Sequence, residues 1–251
     1  MCMETKLKYY LQIADNALIL SHRLSEYCSR APFLEEDLAN TNVALDLIGL
    51  AEAIYEEVAK QELKGRTGDN IAYLRKESEY YNLNLVEQPN EDFAHIMVRQ
   101  FFLDSFHFYF FKELSNSSDD FLRAISLKSI KEVSYHLRRS SEWLIRLGKG
   151  TVEGKEKMQL AINKLWKFTN DLFTENETDL EMLKNGIGVD LQTIYTEWKQ
   201  KVDEIFYLSH YHVPSNTVSL NSGKCGIHSE HLGYILCEMQ YLPNKYPDAV
   251  W

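Results

Sequence analysis

The sequence contains little that would interrupt a helix, since only 11 of its 251 residues are glycine and only 5 are proline. These two residues weaken helices more than any others, so long uninterrupted helices are expected. We find no convincing strand and no internal repeat. The composition therefore predicts an all-α protein.

Cysteine is also scarce, and its four positions do not have the paired spacing of a disulfide framework. No apolar run approaches the length of a membrane span, and the first residues lack a signal-peptide pattern. These absences predict a cytoplasmic protein that does not enter a membrane. Acidic residues outnumber basic ones, 37 to 27, and the formal net charge of −10 argues against nucleic acid as a partner.

Apolar residues that recur every three or four positions predict four long helices in the first 150 residues. These helices are expected at about 6–29, 34–64, 92–114 and 118–147, with Ser118 as the N-cap of the fourth. Asp69 is expected to cap a short helix between the second and third. Further helices are expected at about 151–173, 190–208 and 229–241, separated by a turn-rich segment up to Gly188 and a loop at 211–226. The chain is thus predicted to be a single domain over 1–251, with a four-helix bundle core at about 6–149 and extra helices and loops at about 151–251.

The fourth helix carries a histidine on its apolar face. That face is defined by Leu122, Ile125, Ser129, Val133, His136, Ser140, Leu144 and Leu147. In di-iron carboxylate bundles, the partner of such a histidine is a glutamate three residues earlier on the same face. Val133 occupies that position here, and Glu132 points about 100° away from it around the helix.

Two further carboxylates lie where they could join a polar site. Asp104 and His107 are one turn apart on the third helix and form either a candidate ligand pair or a buried hydrogen-bonded pair. Asp46 lies beside the apolar stripe of the second helix, where a salt bridge or hydrogen bond across the bundle is expected. That stripe is Val43, Leu47, Leu50, Ile54 and Val58.

The C-terminal stretch 225–231 resembles a zinc-ligand cluster in composition, because it contains Cys225, His228 and His231. Its spacing is not that of a zinc finger or ribbon, so a loop that leads into a helix is the alternative. Gly148-Lys149-Gly150-Thr151 opens a helix and could hold a phosphate, but it lacks the full phosphate-loop pattern.

Many stretches, spread over nearly the whole chain, are similar to one family. They are 17–26, APFLEED at 31–37, ALDLIG at 44–49, KEVSYHLR at 131–138, SEW at 141–143, RLGKGT at 146–151, EHLGY at 230–234, EMQ at 238–240, Tyr246-Pro247 and the terminal Trp251. This combination resembles the PaaC subunits of the bacterial ring-1,2-phenylacetyl-CoA epoxidase, also called phenylacetate-CoA oxygenase.

The resemblance implies a ferritin-like helical subunit of a multicomponent oxygenase for phenylacetate catabolism. In that family, the sister subunit PaaA holds the di-iron centre and oxidises the aromatic ring, and PaaC pairs with it as a structural subunit. The small subunits PaaB and PaaD and the reductase PaaE, with FAD and an iron–sulfur cluster, complete the system. We therefore expect a hetero-oligomer, or a homodimer when the chain is alone. The isolated chain is expected to be inactive and to carry no cofactor.

The resemblance also places the metal ligands of the catalytic sister on this chain. Its second-helix Glu-x-x-His falls on Leu47 and Leu50, and its fourth-helix Glu-x-x-His falls on Val133 and His136. Only His136 survives, and one imidazole cannot hold two irons. No catalytic residue and no metal are therefore expected. A residual polar network is expected to comprise Asp46, Asp104, His107 and Glu132, beside His136.

Two other functions stay open at this point. The chain could be a di-metal oxidase that binds metal through Asp104, His107 and His136. It could instead be a free-standing helical protein that shelters an acyl-CoA. Metal content separates the first alternative from a structural subunit, and co-purification with a catalytic subunit separates the second.

Overall fold

Helices account for all the regular secondary structure of the residues that the computed structural model describes, which are 2–215, 223–247 and 249. The α-helices are α1 (Met3–Glu26), α2 (Leu34–Glu62), α3 (Gly68–Tyr73), α4 (Asn84–Glu87), α5 (Phe93–Leu114), α6 (Asp120–Gly148), α7 (Val152–Leu165), α8 (Glu177–Lys184), α9 (Leu191–Ser209) and α10 (Glu230–Lys245). Short 3-10 helices lie at Glu77–Glu79, Trp166–Leu172 and Gly223–Cys225. The predicted all-α class is confirmed. None of the described helices is both long and apolar enough to span a bilayer.

The chain divides into two compact units. The first consists of Met1–Pro89 and Ser222–Trp251, and its helices are α1 to α4 and α10. The second consists of Asn90–Asn221 and contains α5 to α9. The single domain expected over residues 1–251 stays a prediction.

Two of the predicted helix caps are wrong. The N-cap of α3 is Thr67, whose hydroxyl accepts a hydrogen bond from the Asn70 N–H at 3.1 Å, and Asp69 lies inside the helix. The N-cap of α6 is Asp119, which accepts from the Leu122 N–H at 3.0 Å, and not Ser118. In both places neighbouring side chains have capping oxygens, and only the one at the extended backbone position reaches the free amides.

Four boundaries also differ from the prediction. Helix α1 ends at Glu26, the expected helix at 151–173 becomes 3-10 from Trp166 onward, and α8 forms in the segment expected to be turn-rich. Helix α10 continues through Pro243 to Lys245, because a proline in the last turn costs the helix only one hydrogen bond. Part of the loop expected at 211–226, residues 216–222, lies outside the described residues, as does Trp251.

The first unit is built on the packing of α1 against α2, which a short connection makes antiparallel neighbours. The apolar stripe predicted for α2 is confirmed as buried and comprises Val43, Leu47, Leu50, Ile54 and Val58. Helix α3 packs against α2, α4 packs against α1, and α10 packs against α3 and α4. The tail after residue 222 thereby completes a unit that the N-terminal residues begin.

A buried ion pair lies at the centre of the first unit. Arg75 donates to both carboxylate oxygens of Asp15, with Nη1 at 3.0 Å from Oδ2. Asp15 also accepts from the Tyr55 hydroxyl at 2.6 Å and from the Tyr81 N–H at 2.8 Å. The side chains of Asp15 and Arg75 are 0% and 4% exposed. Burial alone would lower the pKa of Arg75, but the charge of Asp15 outweighs it and raises that pKa.

The guanidinium of Arg75 uses all five of its N–H donors. Its Nε donates to the Ile71 carbonyl at 2.6 Å, and Nη1 donates to the Glu79 carbonyl at 2.7 Å. The remaining donors meet Asp15 and the Tyr55 hydroxyl. The pair therefore meets the condition under which a buried charge is tolerated, which is full satisfaction of its hydrogen bonds.

The second unit is arranged around α5, which packs against α6, α7 and α9. Every residue of α5 from Ala94 to His107 is buried. Trp198 of α9 donates its indole N–H to the Phe102 carbonyl at 3.0 Å. Polar residues on α5 are therefore placed in the interior by the helix itself.

We predict that Asp15→Ala destabilises the protein by about 3–5 kcal/mol, because it leaves Arg75 charged and buried without its counterion. Urea unfolding followed by circular dichroism measures the change. The control is Lys60→Ala, which removes an exposed pair with Glu56 and should not move the unfolding midpoint. A loss below about 1 kcal/mol for Asp15→Ala would contradict the structural role of the pair.

Candidate functional site

A buried polar cluster joins α5 to α6 in the second unit. The Ser140 hydroxyl donates to Asp104 Oδ2 at 2.8 Å. His136 and Arg139, on the same helix as Ser140, act on Asp104 through their charges, and His136 also acts on His107. Asp104, His107 and His136 are 3%, 9% and 4% exposed. The structure therefore brings together three of the residues predicted from the sequence.

Helical spacing explains why these side chains share one place. Asp104 and His107 are three residues apart on α5, and His136 and Ser140 are four apart on α6, so each pair lies on one face of its helix. Most of the face predicted for α6 is buried, namely Leu122, Ser129, Val133, His136, Ser140 and Leu144, whereas Ile125 and Leu147 are half-buried. The hydrogen bond from Ser140 to Asp104 was missed, although a serine one turn after His136 in an apolar stripe was the signal for it.

Burial controls the protonation of the cluster. It raises the pKa of Asp104 to about 6, against the opposing effects of His136, the Ser140 hydrogen bond and Arg139. Burial also lowers the pKa of His107 to about 4, and the nearby His136 lowers it in the same direction. Around neutral pH, Asp104 is therefore close to its titration and His107 is neutral.

The other predicted positions lie in both units. Leu47 and Leu50 of α2 and Val133 of α6 are buried, and Asp46 of α2 is half-buried. Glu132 lies 3.7 Å from Lys128, one turn earlier on the surface of α6. The assignment of these positions to a degenerate metal site and a residual network stays a prediction.

The cluster does not fit a di-iron centre. Such a centre takes a Glu from each of two helices and a Glu-x-x-His motif from each of two others. Here the cluster supplies a single carboxylate, which Ser140 already binds, and Val133 stands three residues before His136. Over the described ranges, no three His, Cys, Asp or Glu side chains are grouped so that they could hold a metal ion.

The C-terminal stretch that resembles a zinc cluster instead anchors α10. His228 Nδ1 lies 2.6 Å from Glu87 Oε1, and its Nε2 lies 2.9 Å from the Tyr80 carbonyl oxygen. The other oxygen of Glu87 accepts from the Ser229 N–H at 2.8 Å and from its hydroxyl at 2.6 Å. Cys225 is exposed. The stretch is therefore a loop that leads into α10, which was the alternative to a zinc site.

Both ring nitrogens of His228 face acceptors, one a carboxylate and the other a carbonyl. Only the imidazolium can donate from both nitrogens, so the geometry favours the charged form. Burial alone would lower the pKa of His228, but the hydrogen bond and charge of Glu87 outweigh it and raise that pKa.

The glycine-rich stretch before α7 has a packing role. The Thr151 hydroxyl accepts from the Gly154 N–H at 3.1 Å, so the residue that opens the helix also caps it. A side chain at Gly148 would collide with the backbone of Ser209, where α6 approaches α9. Close packing of the two helices therefore explains Gly148 without a bound phosphate.

These helices define an all-α protein of the ferritin-like class, with a buried polar cluster that, within the described ranges, lacks the ligands of a di-iron centre. The family model of the phenylacetic acid catabolic proteins matches residues 2–251, and the chain belongs to this family. A curated relative is the C subunit of the 1,2-phenylacetyl-CoA epoxidase from Escherichia coli (strain K12). It is 45% identical over 243 residues, which cover 97% of this chain and 98% of the relative.

We predict that Asp104→Asn stabilises the protein relative to wild type more strongly as pH rises. The folded-state pKa of Asp104, about 6, lies above its ordinary value of 3.8, so its contribution to stability is present below 3.8 and lost by about 6. The gain between these values should be about 1–3 kcal/mol. Urea unfolding over this pH range measures it.

The opposite trend is expected for His107→Gln. The folded-state pKa of His107, about 4, lies below 6.5, so its contribution is present above 6.5 and lost as pH falls. This variant should therefore improve relative to wild type towards acid. Free-energy differences that do not vary with pH in either variant would contradict the electrostatic description of the cluster.

For the α10 anchor, we predict that His228→Gln destabilises the protein most below about pH 6.5. The folded-state pKa of His228 is raised, so its contribution is full below 6.5 and is lost as pH rises through the folded-state value. Thermal unfolding at a series of pH values measures the difference from wild type. His212→Gln, at an exposed position, is the matched control. A difference that grows towards alkaline pH would show that His228 is held in its neutral form.

Proposed function

We propose that the chain is a non-catalytic structural subunit of a multicomponent 1,2-phenylacetyl-CoA epoxidase that acts in phenylacetate degradation. It would pair with a di-iron catalytic subunit of the PaaA type, which oxidises the aromatic ring. The relative from E. coli supports the assembly role, because its name identifies it as one subunit of such an enzyme and the match covers nearly all of both chains.

The observation that carries the proposal is the apolar character of the positions that resemble metal ligands. Leu47, Leu50 and Val133 are all buried, at 5%, 7% and 4% exposure. Iron in di-iron carboxylate proteins is held by carboxylates and imidazoles, and a hydrocarbon side chain offers neither. Apolar side chains at these positions stabilise the fold through packing, a role that a structural subunit requires.

The remaining polar cluster supports a structural role as well. Its carboxylate accepts from Ser140, which ties α5 to α6. His107 is neutral at physiological pH and cannot neutralise Asp104. A cluster of this kind can take up a proton near pH 6, but it provides no second carboxylate for iron.

The proposed complex contains more than two kinds of subunit. Small subunits of the PaaB and PaaD type and a reductase of the PaaE type, with FAD and an iron–sulfur cluster, would supply assembly and electrons to the di-iron centre. In this proposal the chain itself binds no cofactor, and its contribution is to hold the catalytic subunit in an active assembly. The proposal places the complex in the cytoplasm.

We predict that the chain purified alone contains substoichiometric iron, and that co-expression with the catalytic subunit yields a hetero-oligomer with about two irons per catalytic subunit. Native mass spectrometry and elemental analysis of both preparations measure this. Stoichiometric iron in the lone chain would support the di-metal oxidase instead. If the chain does not bind the catalytic subunit but binds an acyl-CoA, the result would support the alternative that it is a free-standing acyl-CoA-binding protein.

Variants of the cluster test the non-catalytic role directly. In the assembled complex, Asp104→Asn and His107→Gln should leave phenylacetyl-CoA turnover unchanged within about twofold. Loss of a true acid–base or ligand residue typically costs about 10²-fold or more. A loss of that size, with assembly and iron content intact, would assign catalysis to this chain.

A further inference from the structure

Helix α2 of the first unit presents an apolar face to solvent, opposite the stripe that it buries. Leu34, Leu38, Leu45 and Ile48 are 71%, 55%, 61% and 37% exposed. Their separations of three, four and seven residues are those of a seam between packed helices. Helix α2 therefore has two apolar faces, and its own unit covers only one of them.

The charges on α2 distinguish this face further. No Lys or Arg occurs between Arg30 and Lys60, whereas the acidic residues there are Glu35, Glu36, Asp37, Asp46, Glu52, Glu56 and Glu57. The acidic residues cluster at 35–37 and 52–57, and the stretch 38–51 contains only Asp46. An apolar centre that is depleted of charge and rimmed by charged residues is the usual composition of a protein interface.

Gly49 lies on the same side of the helix, next to Ile48. A Cβ atom added at Gly49 would meet nothing within 4 Å, so the packing of this chain does not require glycine there. Glycine weakens the interior of a helix relative to alanine, and its use is to let another backbone approach closely. Gly148 differs, because contact with Ser209 explains it.

We propose that the outer face of α2, formed by Leu34, Leu38, Leu45, Ile48 and Gly49, is the surface on which a helix of the di-iron catalytic subunit packs. This inference rests on the proposed function and specifies where the partner binds. The partner helix has an apolar seam with basic residues at both ends, and its backbone comes closest at Gly49.

A second copy of this chain is a poor occupant of the same face. In an antiparallel pair, the acidic residues at 35–37 of one copy would face those at 52–57 of the other. In a parallel pair, each acidic cluster would face its own counterpart. Like charges repel in both arrangements, so the charge pattern selects a partner with the opposite sign.

The experiment measures the dissociation constant between the purified catalytic subunit and variants of the full chain. Leu45→Lys places a positive charge in the apolar centre and should raise this constant about 30-fold or more. The matched control is Leu127→Lys on α6, since Leu127 is 55% exposed. The control should change the constant by no more than about twofold.

Gly49→Ala separates a role in binding from a role in folding. Alanine at this open position should raise the melting temperature of the lone chain by about 1–4 °C. The same methyl group should weaken the complex about tenfold, because it obstructs the close approach. A purely structural glycine would not give these opposite effects.

Each outcome has a definite meaning. If the wild-type chain does not bind the catalytic subunit, both this inference and the proposed function fail. If the wild type binds and the two α2 variants bind equally well, the outer face of α2 is not the interface, and the proposed function stands. If the lone chain is a dimer in sedimentation and Leu45→Lys dissociates it, the occupant is a second copy and the inference is overturned.

Discussion

The first unit depends on the ion pair between Asp15 and Arg75. The pair brings α1 together with the segment that follows α3, and Tyr55 connects it to α2. Gln240 of α10 donates to the Arg75 carbonyl at 2.7 Å, so the C-terminal helix is attached to the same point. Two charges without access to water are stable only when their hydrogen bonds are complete, and here the guanidinium has no spare donor. Helices α1, α2 and α3 therefore all supply groups that stabilise the ion pair, and α10 is bound beside it.

The second unit also buries a carboxyl group, but it provides that group with fewer hydrogen-bond donors. Its buried carboxyl group, Asp104, accepts from one hydroxyl, and this hydrogen bond and the electrostatic effects of His136 and Arg139 do not fully offset the cost of burial. The raised pKa of Asp104 is the measure of that imbalance. Asp15 is equally buried, but it accepts from Arg75, from the Tyr55 hydroxyl and from the Tyr81 N–H, so burial of a carboxylate is not in itself a sign of chemistry. In this chain the apolar residue Val133, three positions before His136, is as informative about function as the polar residues of the cluster, because it stands where a di-iron protein has a glutamate.

Much of the fold and part of the candidate site could be predicted from the sequence, because the residue patterns that specify them are local. The long helices and the buried face of α6 follow from the spacing of apolar residues, and His136 and Ser140 lie where that spacing places them. The partners of Asp15 and Glu87 could not be predicted, since they come from residues 60 and 141 positions away along the chain. Local patterns do not record such contacts. The start of α6 and the end of α10 were missed for another reason, because Ser118 and Asp119 both offer a capping oxygen and a proline is tolerated in the last turn of α10.

The anchor of α10 has a consequence for the order in which the chain can fold. The second unit is one continuous stretch, Asn90–Asn221, whereas the first is divided between the residues before and after it. During synthesis, α1 and α2 emerge early, but Glu87 must wait for His228 and Ser229 until the whole second unit has been translated. Domains tend to fold as they emerge, so the contacts between the N-terminal part of the first unit and α10 are the last of that unit to form. In that interval Glu87 and the surface that α10 covers lack their final contacts.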